Sequence, residues 1–113
     1  GMWLMLQQDK ADTYVLSTGE THPIRDFVEE CGKICGYEIE WVGEGINEKG
    51  IDKKTGKTIV KVNPKFFRPA EVELLVGDPS KAEKVLGWKR KVSYQGLCRM
   101  MINADLERYK ALD

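Results

Sequence analysis

An α+β fold is expected for this chain, and two features of its pattern predict it. Helical and strand-like segments are mixed without a β-α-β-α-β succession, which argues against a doubly wound parallel sheet. The chain has 113 residues, 42% of them apolar, enough for one core, and it is read as a single domain over 1–113.

Trp3 to Gln8 is an apolar run of helix formers without a cap and reads as the tail of a helix. Tyr14-Val15-Leu16-Ser17-Thr18 is rich in β-formers and is closed by Gly19, so a strand is predicted there. Thr21 is placed as an N-cap, with Pro23 in the first turn and Asp26 near the positive helix end. Ile24, Phe27, Val28, Cys31 and Ile34 then keep helical spacing until Gly36. Tyr37 to Val42 alternates, with Tyr37, Ile39 and Trp41 set against Glu38 and Glu40, and reads as a strand. Gly43 to Gly56 is a polar, glycine-punctuated excursion, turn-like from Asp52, and Thr58 to Val62 is the next strand. Asp78 caps a short helix with Pro79 at its first position and Gly87 at its end. Ser93 caps the last helix, whose stripe is Tyr94, Leu97, Cys98 and Met101.

Eighteen basic residues balance eighteen acidic ones. A zero formal charge argues against a nucleic-acid surface or an anionic membrane, both of which need a basic excess. Lys89-Arg90-Lys91 reads as a solvated loop. No apolar run approaches the roughly 20 residues of a membrane span. Nothing reads as a signal peptide, and Gly1-Met2 reads as a tag remnant before a start residue. Cys31, Cys35 and Cys98, an odd count without a secretory signal, fit reduced thiols in a cytoplasm. Two thiols and a distant third do not complete a zinc site, so buried core cysteines are expected.

The segment Phe66-Phe67-Arg68-Pro69-Ala70-Glu71 carries the chemistry. Arginine forks onto phosphate better than any other side chain, and a carboxylate three residues on can accept from a sugar diol. Pro69 restricts Arg68 to an extended conformation, and that pre-organisation favours binding. An exposed ion pair between Arg68 and Glu71 is the plainer alternative, and the tetrapeptide alone leaves both open.

Longer blocks extend this reading. The run Met2-Trp3-Leu4-Met5-Leu6-Gln7-Gln8, then Tyr14-Val15-Leu16-Ser17-Thr18-Gly19-Glu20-Thr21-His22, then Arg25-Asp26-Phe27-Val28-Glu29 resembles GDP-mannose 4,6-dehydratases. So do Phe67-Arg68-Pro69-Ala70-Glu71-Val72-Glu73-Leu74-Leu75, Gly77-Asp78-Pro79-Ser80-Lys81-Ala82 and Leu86-Gly87-Trp88-Lys89. The resemblance covers nearly the whole chain in order, and its last block is shared more loosely by other nucleotide-sugar enzymes. It implies a C-terminal substrate-binding domain, as in nucleotide-sugar epimerases and dehydratases, without the NADP-binding Rossmann domain. The implied parent reaction removes water from GDP-mannose through transient hydride transfer to NADP, giving a 4-keto-6-deoxy sugar nucleotide. By the same resemblance Arg68 contacts the diphosphate and Glu71 the ribose hydroxyls.

The resemblance also marks what is not here. The family's catalytic tyrosine and lysine stand four residues apart, and no tyrosine of this chain has a lysine at that offset. Gly43-Glu44-Gly45 is the nearest approach to a dinucleotide loop and lacks the third glycine. No catalytic residue and no bound NADP are therefore expected. His22 and the four tyrosines are read as structural or packing residues. GDP-mannose is the implied ligand, bound weakly or not at all by the chain in isolation. A homo-oligomer is expected, through exposed Trp3, Leu4, Met5 and Leu6 and through the edge of the 14–18 strand. The alternatives are a stand-alone nucleotide-diphosphate-binding or oligomerisation module, or a fragment of another nucleotide-sugar epimerase or reductase.

Overall fold

A computed structural model describes residues 1–71 and 74–112. Val72 and Glu73, inside the segment that carries Arg68, lie outside the described residues. The elements are α1 (Met2–Leu6), α2 (Ile24–Ile34), β1 (Ile39–Val42), β2 (Lys49–Asp52), β3 (Thr58–Lys61), α3 (Ser80–Leu86) and α4 (Tyr94–Lys110). Short 3-10 turns lie at Gly45–Asn47 and Pro64–Phe66. This is a small α+β structure whose strands form one antiparallel sheet in the order β1-β2-β3.

The chain divides into two compact units, Gly1–His22 with Val72–Ser93, and Pro23–Glu71 with Tyr94–Asp113. The second holds the sheet, α2 and α4. Here α2 begins two residues later than Thr21 capping would give, with Pro23 as the N-cap residue and Phe27 N–H donating to the Pro23 carbonyl at 3.3 Å. The proline explains the shift, because it holds His22 in an extended conformation and so keeps it out of the helix. Gly36, at φ 84°, closes the helix.

Gly32 brings α2 down onto β1: a Cβ there would sit 3.0 Å from Ile39 Cγ1. Trp41 adds a polar tie, its indole N–H donating to Glu29 Oε1 at 2.8 Å. The Arg25 guanidinium lies over the Trp41 ring, 5.3 Å from its centroid, and pairs with Glu48.

The polar excursion predicted between Gly43 and Gly56 contains a strand, β2, at the centre of the sheet. Gly50 makes it possible. A Cβ on Gly50 would lie 3.2 Å from Ile39 Cγ2 and 3.3 Å from Trp41 Cζ3, so these two side chains cover the bare backbone from the neighbouring strand. The hairpin to β3 is organised by Asp52, which is 1% exposed.

In the first unit, Asp78 Oδ1 accepts from Ser80 N–H at 3.0 Å, ahead of α3. The helix ends at Gly87, φ 65°. Ala82 and Leu86 are buried. The 14–18 segment is a correction: no strand forms there, and it joins no ladder among the described residues. Side chains hold it instead. Lys81 pairs with Asp12 at 2.8 Å and sits over the Tyr14 ring. Ser17 packs where a Cβ on Gly77 would stand. Arg90, expected in a solvated loop, donates to the Thr18 carbonyl at 3.2 Å and pairs with Glu20. That pair is the largest cause holding the Glu20 carboxyl below, and the Arg90 guanidinium above, their usual ranges. On α1, Met2, Trp3 and Leu6 are exposed, whereas Leu4 and Met5 are half-buried, so the predicted patch is narrower than its sequence.

Candidate functional site

The Arg68 segment begins at a 3-10 turn over Pro64–Phe66. Proline fixes φ at the first position, and Asn63 Oδ1 accepts from Lys65 N–H at 3.0 Å. The chain leaves the turn in extended form at Phe67, φ −67°, ψ 128°, and Pro69 keeps Arg68 from turning helical. Phe66 is largely exposed and carries the Lys65 ammonium over its ring, 5.7 Å from the centroid.

The structure brings Arg68 and Glu71 together. Arg68 Nη1 donates to Glu71 Oε1 at 3.5 Å, and the side chains are 77% and 62% exposed. The two readings of the tetrapeptide therefore coexist: an ion pair in the chain as it stands, made of two groups both open to an incoming ligand. A solvated pair of this length contributes little to stability.

The total charge conceals a feature of the same stretch. From Lys53 to Ala70 there are six cations, Lys53, Lys54, Lys57, Lys61, Lys65 and Arg68, and no carboxylate. A running charge count finds this tract, and the whole-chain balance averages it away.

The remaining candidates are structural. Cys98 is fully buried, Cys31 half-buried and Cys35 exposed, so the expectation of buried cysteines holds for Cys98 alone. Burial, and next the neighbouring Cys98, raises the Cys31 thiol pKa above its usual range and keeps the thiol protonated. Tyr94, one turn before Cys98, is pushed up to about 12, first by burial and then by Cys98. Tyr109, read as a packing residue, is exposed. His22 Nε2 lies 3.4 Å from Glu20 Oε2. Among the described residues no group of three or more His, Cys, Asp or Glu is placed to hold a metal ion, and no helix is long and apolar enough to cross a membrane.

A dinucleotide does not fit the glycine cluster. Gly43 and Gly45, at φ 83° and 55°, join β1 through a 3-10 turn to β2. A pyrophosphate loop leads from a strand into an α-helix, whose N-terminus receives the charge, and no such helix follows here.

Comparison with known proteins gives this geometry its context. The family profile described as GDP-mannose 4,6 dehydratase matches residues 1–101. The chain belongs to this family. It is 53% identical over 106 residues to a GDP-mannose 4,6-dehydratase of Sinorhizobium fredii (strain HH103), covering 94% of this chain and 30% of that protein. GDP-mannose 4,6 dehydratases of Dictyostelium discoideum and Homo sapiens are 48% and 46% identical, over 96% and 94% of this chain and 31% and 28% of their own length. The chain thus spans about 30% of the dehydratases it matches. Arg68 and Glu71 lie within the stretch that matches the family profile.

Proposed function

We propose that this chain is the C-terminal substrate-binding domain of a GDP-mannose 4,6-dehydratase, 1–113 as one domain of the nucleotide-sugar epimerase and dehydratase type. Arg68 takes the diphosphate and Glu71 the ribose hydroxyls. One observation carries the reading: a family match running through Arg68 and Glu71, which stand exposed and side by side just after the proline-led turn at Pro64–Phe66. To bind, Glu71 releases Arg68 and turns to the ribose, and the guanidinium exchanges a carboxylate for a phosphate of similar shape.

The parent activity is the NADP-dependent conversion of GDP-mannose to GDP-4-keto-6-deoxymannose in a cytoplasm. The cofactor and the proton-transfer residues belong to segments outside this chain. Weak GDP binding is expected by calorimetry, with Arg68→Ala weakening it by about tenfold or more. Binding unchanged in that variant overturns the assignment of Arg68. Purified chain supplied with NADP and GDP-mannose is expected to form no 4-keto product. Turnover under those conditions would sink the placement of the catalytic groups elsewhere.

A second reading, an oligomerisation module, is favoured by the exposed Met2, Trp3 and Leu6 on α1. The two are compatible, since a binding domain that leaves such side chains uncovered also self-associates.

A further inference from the structure

We propose that Lys65 is a second cationic contact for the diphosphate, set within the carboxylate-free tract that runs from Lys53 to Ala70. The proposal rests on the reading of Arg68 as a diphosphate contact and adds a residue to that site.

Charge balance motivates it. A diphosphate joining a sugar to a nucleoside carries one negative charge on each phosphate. Arg68 brings one positive charge, and Glu71 lies 3.5 Å from it. The two side chains together are neutral, so a site made of them alone leaves a doubly charged ligand uncompensated. A partly desolvated phosphate needs a cation close by.

Lys65 meets the requirement on three counts. It is placed three residues before Arg68 on the same stiffened segment, with its backbone fixed by the bond from its own N–H to Asn63 Oδ1. Its ammonium makes no ion pair among the described residues and sits over the exposed Phe66 ring, a weak hold that a phosphate readily replaces. It also lies inside an eighteen-residue stretch without a carboxylate, in a chain whose charges balance only as a whole. Lys53 is partly committed, 3.7 Å from Glu38, and Lys54 donates to the Gly36 carbonyl. Lys61, on β3, is the nearest alternative cation in the chain and serves as the control.

The test titrates the full chain with inorganic pyrophosphate and with GDP at low ionic strength. Lys65→Ala is expected to weaken both ligands about fivefold to tenfold and to make their binding less salt-dependent. Lys65→Arg restores the affinity. Lys61→Ala changes it by less than about twofold, as a solvent-screened charge without direct contact does. Lys65 is exposed, and circular dichroism verifies that the variants fold. If Arg68→Ala weakens binding and Lys65→Ala does not, or if Lys61→Ala matches Lys65→Ala, the contact is overturned while the role of Arg68 stands. If neither Arg68→Ala nor Lys65→Ala alters binding, or the chain binds neither ligand, the underlying reading fails and takes this inference with it.

Discussion

Asp52→Ala is expected to lower the thermal midpoint of the chain by on the order of 10 °C, the largest stability effect of any single polar substitution in the sheet unit. The carboxylate ends β2 and gathers three donors: Oδ1 accepts from Glu38 N–H at 3.1 Å and Lys54 N–H at 3.3 Å, and Oδ2 accepts from the Thr55 hydroxyl at 2.8 Å. Its backbone closes the same turn, with Asp52 N–H on the Lys57 carbonyl at 2.9 Å and Gly56 N–H on the Asp52 carbonyl at 2.8 Å. One side chain thus ties the β2–β3 loop to the start of β1. Alanine leaves two part-buried N–H groups without an acceptor, and unmet donors cost more than the bonds themselves return. Asp52→Asn keeps the shape but loses the charge, and falls between the two. A melting curve for Asp52→Ala that overlays the wild type would refute this role.

The same bonds set a pH dependence. The Glu38 N–H, first among the causes, and then the Thr55 hydroxyl hold the Asp52 carboxyl below the ordinary value of 3.8. A depressed carboxyl stabilises the fold fully above its unfolded value, and the contribution is lost as the pH falls through the lowered folded value. Wild type therefore loses stability as the pH drops below 3.8, and Asp52→Asn loses less over the same range. Melting curves of the pair from neutral pH downward check the difference.

How much of this was legible depended on which force shaped each segment. The apolar face of α2 and the alternation of β1 are local patterns, and they predicted their elements within a residue or two. Glu48-Lys49-Gly50-Ile51-Asp52 has no such pattern. Its middle strand exists because Ile39 and Trp41 of the neighbouring strand lie over Gly50, a reason stored eleven and nine residues away. Tyr14 to Thr18 shows the opposite case. Its β-formers predict a strand, and none forms there, because propensity carries no information about pairing. The candidate site was legible as residue types, because Arg68-Pro69 fixes the backbone locally. That Arg68 and Glu71 touch is a side-chain outcome the tetrapeptide left open, and the cation tract disappears in a net charge of zero.

The second large effect expected is self-association: the chain at tens of micromolar should sediment as a dimer or larger species. Apolar side chains of the first unit stand open to solvent. On α1, Trp3 and Leu6 are 69% and 81% exposed, and Leu74 and Leu75 in the same unit are 64% and 78% exposed. The 14–18 segment adds backbone groups that join no ladder among the described residues, and Val15 and Leu16 on it are exposed. A zero formal charge supplies no long-range repulsion between copies. Trp3→Asp with Leu6→Asp should shift the sedimentation toward monomer without moving the melting curve, because neither side chain contributes to the core. Light scattering that finds wild type strictly monomeric at high concentration would count against a homo-oligomer. A shift that requires changes in α4 rather than α1 would move the interface to the other unit.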